Sequence, residues 1–539
     1  MINKSYYVLI IVVFSIFMFI FGLGNMPLTD PDESFYAATA QEMTEDGEWI
    51  TPTIFGKPQF EKPILYYWLI RISYNLFGVN EFSSRMPSAI FGILGVLGVF
   101  YLGKLLFSPL CGFLSALITV TNIQYIVLAR ACVTDMVLSV LILYALLFAL
   151  FGWVKKRNIY FYLSSVMVGL ATLTKGPIAI FIFAATIFIY LLISKQLKRI
   201  KEVPIFFSML ILMSVILPWY LFVYQVNGQA FINEFFGLHN VTRFLTPEHR
   251  IGDTPFFYIP IILGGFAPWS IFLPFAAWYM FRSEKTESPV KSFKPLLFAW
   301  FVVTFLFFSL SRTKLVTYIF PLFPVLSIVV GRFWEVFLID VETRKALKKQ
   351  MKIACVILLI STFLGIVVGF LVLRYKGYTQ AVNPLLVCGI TFLSGISVSV
   401  FLHLKKRYTY SFAAINIAIF ILIVPVVFFA LPVFGNYESS REISAKLNKM
   451  MQPGEMLGGE CDQRRGLAFY TGRKKIVDIH NHDDRVKFIN SDDRVWGVVK
   501  KKHYDQLKNV DGMNVPIIVY EKAKRVVFTN KPLEGQILN

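Results

Sequence analysis

Charge is scarce in this 539-residue chain, where Asp, Glu, Lys and Arg together make up 16%, against about a quarter in an ordinary soluble domain. That shortage excludes a conventional water-soluble protein of this length. Acids are the rarer sign, 33 against 53 Lys and Arg, for a formal net charge of +20. In a soluble chain such an excess would point to nucleic acid. Here the basic residues punctuate apolar runs, so most of the charge is topological and no nucleic-acid partner is expected. Cysteine is sparse too. Of Cys111, Cys132, Cys355, Cys388 and Cys461, four lie in or beside apolar runs and none forms a CxxC pair, so neither a disulfide framework nor a zinc site is indicated. Internal repeats and low-complexity tracts are absent.

What the chain does have is apolar: 56% hydrophobic and 16% aromatic residues, with a mean hydropathy of +0.62. Runs close to the ~20 residues needed to cross a hydrocarbon core recur up to about Leu431, roughly thirteen in all. The first is Tyr6 to Gly24, and the others are 84–103, 108–128, 134–153, 159–174, 177–194, 204–226, 256–281, 295–310, 316–338, 353–373, 385–403 and 411–431. Lys4 ahead of the first run resembles the start of a signal peptide, but the run's length and its lack of a small-residue cleavage site favour a retained helix. Alternate loops carry dense Lys and Arg, among them Lys155, Lys156 and Arg157, then Lys195, Lys198, Arg199 and Lys201, and later Lys405, Lys406 and Arg407. These loops are assigned to the cytoplasm with the N-terminus, which puts the C-terminal segment outside, in the periplasm.

The expected fold is therefore an α-helical polytopic membrane protein with a small C-terminal α/β domain. The membrane domain is expected over 1–431, with external loops at 25–83 and 227–255, and the external α/β domain over 432–539. In the first loop, Asp32 to Glu45 and Ile64 to Phe77 read as amphipathic, interfacial helices. In the C-terminal domain, helices are expected at 440–451 and 465–471 and strands at 454–460, 475–479, 495–499 and 515–520.

Polar residues without a topological reason concentrate on the external side. Asp30, Asp32 and Glu33 stand at a helix start in LTDPDESFYA, where acids also serve capping and the helix dipole. The functional reading is a carboxylate general base that takes the proton of an acceptor hydroxyl. Lys62, Arg85, Lys175, Arg243, Arg250, Arg312 and Lys314 lie on the same face, where the positive-inside rule expects few. Interfacial snorkelling accounts for some of them; an anionic leaving group would use the set. Asp135 adds an acid near membrane depth, which is expensive unless paired or wet.

In order along the chain, the strings DPDESFYA, FEKPILYYW, NEFSSRMPS, TDM, LTKGP and SxxKxxxYxxP resemble the GT-C glycosyltransferases of the protein mannosyltransferase and aminoarabinose transferase type. The resemblance is strong over about residues 1–335 and topological beyond. It implies a GT-C fold and an inverting transferase that moves a sugar from a polyprenyl (undecaprenyl) phosphate to an acceptor at the outer face of a bacterial inner membrane. Lipid A or another glycolipid is the implied acceptor, with a protein hydroxyl as the alternative. By the same resemblance Asp32 is catalytic, with Glu33 its neighbour and Asp135 the second acid. Lys62, Arg243, Tyr318 and Lys314 would hold the donor phosphate, supported by Glu61, Arg85 and Lys175. Ser34 and Phe35 depart from the Ala-Arg usual in the family. A divalent metal at Glu61 and His239 is allowed by the resemblance, although a lone loop histidine is more often simply solvated. His480 and His482 read as a polar turn after a strand. A transporter of lipid-linked sugars would place ionisable residues at mid-membrane in repeated halves, and these cluster at one face. A receptor-like binding module is disfavoured because the C-terminal domain has no aromatic or basic cluster.

Overall fold

The computed structural model describes residues 6–235, 237, 254, 256–282, 293–340, 345–507, 516–522 and 525–532. The chain forms two compact units, one of Met1–Leu23, Phe60–Tyr66 and Arg85–Ala430, the other of Gly24–Gln59, Tyr67–Ser84 and Leu431–Asn539.

The first unit is helical. Among the described residues, seven helices of the chain are long and apolar enough to cross a membrane: Glu81–Leu106, Thr134–Lys155, Ile205–Asn227, Phe320–Ile339, Ala346–Tyr375, Thr379–Leu404 and Tyr408–Glu438. Tyr7–Ile20, Ile178–Ile193 and Lys294–Leu310 are shorter apolar helices. Two expected spans are not single rods. The 108–128 run is broken into Pro109–Val120 and Ile123–Ala129 with a 69° bend, and the 256–281 run into Tyr258–Gly265 and Trp269–Met280 with a 112° bend. Each break has a local cause. Asn122 turns its side chain back to accept from the Tyr125 N–H at 2.9 Å, starting a new helix, and Pro268 has no N–H with which to continue the old one. The two breaks satisfy each other: Ile123 N donates to the Ala267 carbonyl at 3.1 Å, and Trp269 Nε1 donates to Thr121 Oγ1 at 3.0 Å. Backbone freed by a bend at membrane depth needs such partners.

The second unit is built on a sheet. Residues Thr53–Ile54 (β1) and Lys57–Pro58 (β2) make a small antiparallel hairpin that the sequence reading did not anticipate. Strands Met456–Gly459 (β3), Ile476–Asp478 (β4), Val495–Lys500 (β5), Ile517–Lys522 (β6) and Arg525–Thr529 (β7) form one mixed sheet in the order β4-β3-β5-β7-β6. Side chains alternate across it. Trp496, Val498 and Val527 pack with Ile443, Leu447 and Leu467 on one face; Val495, Val499, Val526 and Phe528 pack with Phe488 and Tyr504 on the other.

Two sequence expectations change here. Strand β7 was not foreseen, and His482 does not lie in a turn: it opens the helix His482–Ile489. Most of 25–83 folds with the C-terminal segment, because the helix Asp32–Glu45 packs against the helix Cys461–Thr471.

Candidate functional site

In the helical unit, Asp135 and Lys175 are brought together by a helical hairpin. Asp135 is in the first turn of Thr134–Lys155 and Lys175 is the last residue of Asn158–Lys175. At 1.5 Å per residue each stands roughly 25 to 30 Å from the turn between them, so the two ends meet. Each sits where its charge suits the helix dipole, acid at an N-terminus and base at a C-terminus. Lys175 Nζ lies 2.6 Å from Asp135 Oδ1, with side chains 13% and 10% exposed, and 4.7 Å from the Tyr318 ring centroid. Three residues nominated separately, Asp135, Lys175 and Tyr318, thus form one cluster. Lys314, four residues before Tyr318, is 8% exposed.

The FEKP segment is anchored by Phe60, which is 3% exposed and meets Phe231 edge-on at 5.3 Å. Behind it, Glu61 and Lys62 are half-buried, and Lys62 Nζ donates to the Glu61 carbonyl at 3.0 Å. Arg85 has a different setting. It is 2% exposed and donates to the Leu23 carbonyl at 3.1 Å. Arg130, absent from the sequence reading, serves the same chain turn, donating to the carbonyls of Met18, Phe21 and Gly22 at 3.1, 2.8 and 3.2 Å. Both guanidinium groups meet carbonyls left over where the first helix ends. Arg243 and His239 lie outside the described residues. Among those described, no group of three or more His, Cys, Asp and Glu could hold a metal.

The same unit contains a cavity of about 690 Å³ lined by apolar side chains including Ile262, Pro274, Phe298, Phe301 and Val325, with Lys294 at its wall. The sequence reading missed it, since apolar residues facing a cavity and facing lipid look alike.

In the second unit the three acids of LTDPDES take three different roles. Glu33 is 5% exposed, and its Oε2 accepts from both Thr29 N and Thr29 Oγ1 at 3.0 Å. Glu33 thereby ties the first turn of the helix back to the chain that precedes it. Asp30, one of the three acids for which the helix start suggests capping, does not cap: the N-cap position is Pro31, with no side-chain cap bond. The Asp30 side chain is 1% exposed, and burial pushes its carboxyl up to about 6 against the pull of Arg525, Ser440 and Ser34. Asp32 is the first residue of the helix and is exposed. A carboxylate there is favoured in its ionised form by the helix dipole, and of the three it is the one turned to solvent. Phe35 is covered by the Arg465 guanidinium, 4.3 Å from its ring centroid. In the α/β domain His503 Nδ1 is hydrogen-bonded to the buried Glu460, with Arg485 at 3.6 Å.

The profile of the dolichyl-phosphate-mannose-protein mannosyltransferase family matches residues 61–222. An undecaprenyl phosphate-α-4-amino-4-deoxy-L-arabinose arabinosyl transferase of Pectobacterium carotovorum is 31% identical over 336 residues, covering 60% of this chain and 58% of that protein. An uncharacterized protein of Aquifex aeolicus is 29% identical over 326 residues, covering 60% of this chain and 63% of its own. The aligned part thus spans about three fifths of the length of these relatives. Among solved structures, ArnT from Cupriavidus metallidurans bound to undecaprenyl phosphate superposes with a TM-score of 0.82 at 22% identity, covering 98% of this chain and 99% of that one. An oligosaccharyltransferase of Archaeoglobus fulgidus gives a TM-score of 0.55 at 12% identity, over 93% and 70%. The apolar helices are those of a multi-pass membrane protein, and the fold is the GT-C architecture of these solved transferases. In sequence it is similar to the aminoarabinose transferases over about three fifths of its length.

Proposed function

We propose that the protein is an inverting glycosyltransferase that takes a sugar from a polyprenyl phosphate at the outer face of the membrane and gives it to lipid A or another glycolipid. Lys314 is the observation that carries this reading. A lysine 8% exposed is costly at the edge of a membrane unless an anion meets it, and no hydrogen bond or ion pair to it occurs among the described residues. A phosphate arriving beside Lys314 and Lys175 would supply the anion. Lys62 and Arg243 are assigned to the same phosphate, and the apolar cavity would take part of the polyprenyl chain. Arg85, bonded to the Leu23 carbonyl, supports the fold around the site.

The chemistry needs little else. The acceptor oxygen attacks the anomeric carbon, the bond from that carbon to the phosphate oxygen breaks, and the lipid phosphate leaves as an anion whose charge the lysines offset. Asp32 takes the proton of a hydroxyl acceptor. A metal at Glu61 and His239 remains an expectation of the resemblance alone.

Replacement of Lys314 by Met separates this role from a structural one. Donor utilisation is expected to fall roughly ten- to a hundredfold, the value of a charge-assisted hydrogen bond, while the melting temperature in detergent holds or rises. Unchanged use of undecaprenyl-phosphate sugar by Lys314→Met would remove Lys314 from the phosphate. Lys62→Ala is expected to lose donor use to the same extent without gaining stability; full activity would detach Lys62 from the donor. The acceptor is identified by mass spectrometry of lipid A and surface glycans from cells with and without the gene. A change confined to glycoproteins would transfer the assignment to a protein acceptor.

We also propose thirteen crossings, the two bent helices counting as one each, and hence an external C-terminal domain over 432–539. Alkaline phosphatase fused after Ser440 is expected to be active. An inactive phosphatase there, with an active cytoplasmic reporter, would reverse the orientation.

A further inference from the structure

We infer that Asp30 is a positioning residue: with Ser440 and Arg525 of the C-terminal α/β domain it forms a latch that fixes the turn presenting Asp32. The inference rests on the reading of Asp32 as the reacting carboxylate. It assigns the α/β domain a part in catalysis at a distance of two residues from that carboxylate.

The latch is specific in its geometry. Ser34 Oγ donates to Asp30 Oδ1 at 2.8 Å, and Ser440 Oγ donates to Oδ2. Arg525 Nη1, from β7, donates to the same Oδ2 at 3.3 Å and to Ser440 Oγ at 3.2 Å. The backbone is held as well: Asp30 N donates to the Glu438 carbonyl at 2.9 Å, and Leu28 N to Tyr470 Oη at 2.7 Å. The helix Cys461–Thr471 leaves room for the carboxylate only because residue 466 is glycine. A Cβ there would lie 2.0 Å from Asp30 Oδ1.

The arrangement is kept at a cost to stability. Burial raises the Asp30 carboxyl to about 6 from its ordinary value of 3.8, with Arg525, Ser440 and Ser34 opposing the rise. A raised acid binds its proton more tightly folded than unfolded, so its contribution to stability is fullest below the unfolded value. That contribution is lost as pH rises to about 6. Near neutral pH Asp30 is thus ionised where ionisation does not favour the fold. Of the charged groups around it, Arg525 faces it from β7, Glu33 is engaged with Thr29 on its own turn, and Asp462 shares the field of Arg525. An apolar contact would join the segments as well; a charged, three-donor contact fixes direction. Pro31, with its φ set by its ring, then passes the placement of Asp30 directly to Asp32.

The test uses the full chain in detergent, with undecaprenyl phosphate α-4-amino-4-deoxy-L-arabinose and lipid A as the assay substrates and undecaprenyl phosphate alone as the binding probe. Gly466→Ala displaces the Asp30 carboxylate without altering any charge, and Asp30→Asn removes the charge without altering shape. Both are expected to bind undecaprenyl phosphate as wild type does, with turnover lowered roughly ten- to a hundredfold, the effect of misplacing a reacting group by about 1 Å. Arg525→Lys should retain more turnover than Arg525→Ala. Wild-type turnover in Gly466→Ala and Asp30→Asn, beside an inactive Asp32→Asn, would overturn the latch and leave the reading of Asp32 standing. Loss of phosphate binding together with turnover would make Asp30 a folding residue only. Full turnover in Asp32→Asn would overturn the underlying reading.

Discussion

Asp32→Asn is expected to lower turnover by roughly 100- to 10,000-fold, the contribution of a general base, with fold and undecaprenyl phosphate binding intact. The neighbouring acids set the contrast. Glu33→Gln should act on stability, because Glu33 accepts from Thr29 N and Oγ1; its effect on turnover should follow the loss of folded protein. Asp32 is exposed at the helix start, so replacing its carboxylate by an isosteric amide leaves packing alone. The size of the loss reports on the acceptor. A sugar hydroxyl must lose its proton and needs the base, whereas an ionised phosphate acceptor has none to give, and Asp32 would then only orient it, with a milder loss. Single-turnover rates for Asp32→Asn beside Glu33→Gln, with donor binding measured separately, decide the matter. A wild-type rate in Asp32→Asn with an inactive Glu33→Gln would move the base to Glu33.

Local patterns in this chain were legible and distant pairings were not. The helix Asp32–Glu45 was read with the ends it has, because acids at one end and spaced apolar residues mark it. Strands β3, β4, β5 and β6 stand where alternation placed them. The hairpin of β1 and β2 is only two residues per strand, too short for a period to register. Hydropathy is blind to bends: a broken helix is as apolar as a straight one, so Asn122 and Pro268 passed as ordinary residues inside spans. In the site, Asp135, Lys175 and Tyr318 were each visible as polar groups out of place, and only the fold joins them. Asp30 was misread for a related reason. Its partners Ser440 and Arg525 are 410 and 495 residues away, so the local rule that an acid before a helix caps it had no visible competitor. Gly466 and Arg130 carry no mark in the sequence beyond their type; what distinguishes them is the neighbour each meets.

Asp135→Ala is expected to destabilise the protein by about 3 to 5 kcal/mol, the cost of leaving one partner of a buried ion pair uncompensated. Lys175→Ala should cost a similar amount, while the double variant recovers most of it, because no unpaired charge is then left at the meeting of the two helices. The pair qualifies for this treatment through its setting. Its side chains are 13% and 10% exposed and its atoms 2.6 Å apart, in a helical hairpin whose Ala145 and Val168 are buried together with Leu212 and Ile216 of the helix Ile205–Asn227. Thermal unfolding of the three variants in detergent gives the coupling energy directly. Single variants as stable as wild type would show the pair to be solvated and of little structural weight. Activity adds the decisive contrast. Restored stability in the double variant should not restore donor use, because Lys175, over the ring of Tyr318, is assigned to the lipid phosphate as well as to Asp135. A double variant with both stability and turnover would confine Lys175 to holding the hairpin closed and leave the phosphate to Lys62 and Lys314.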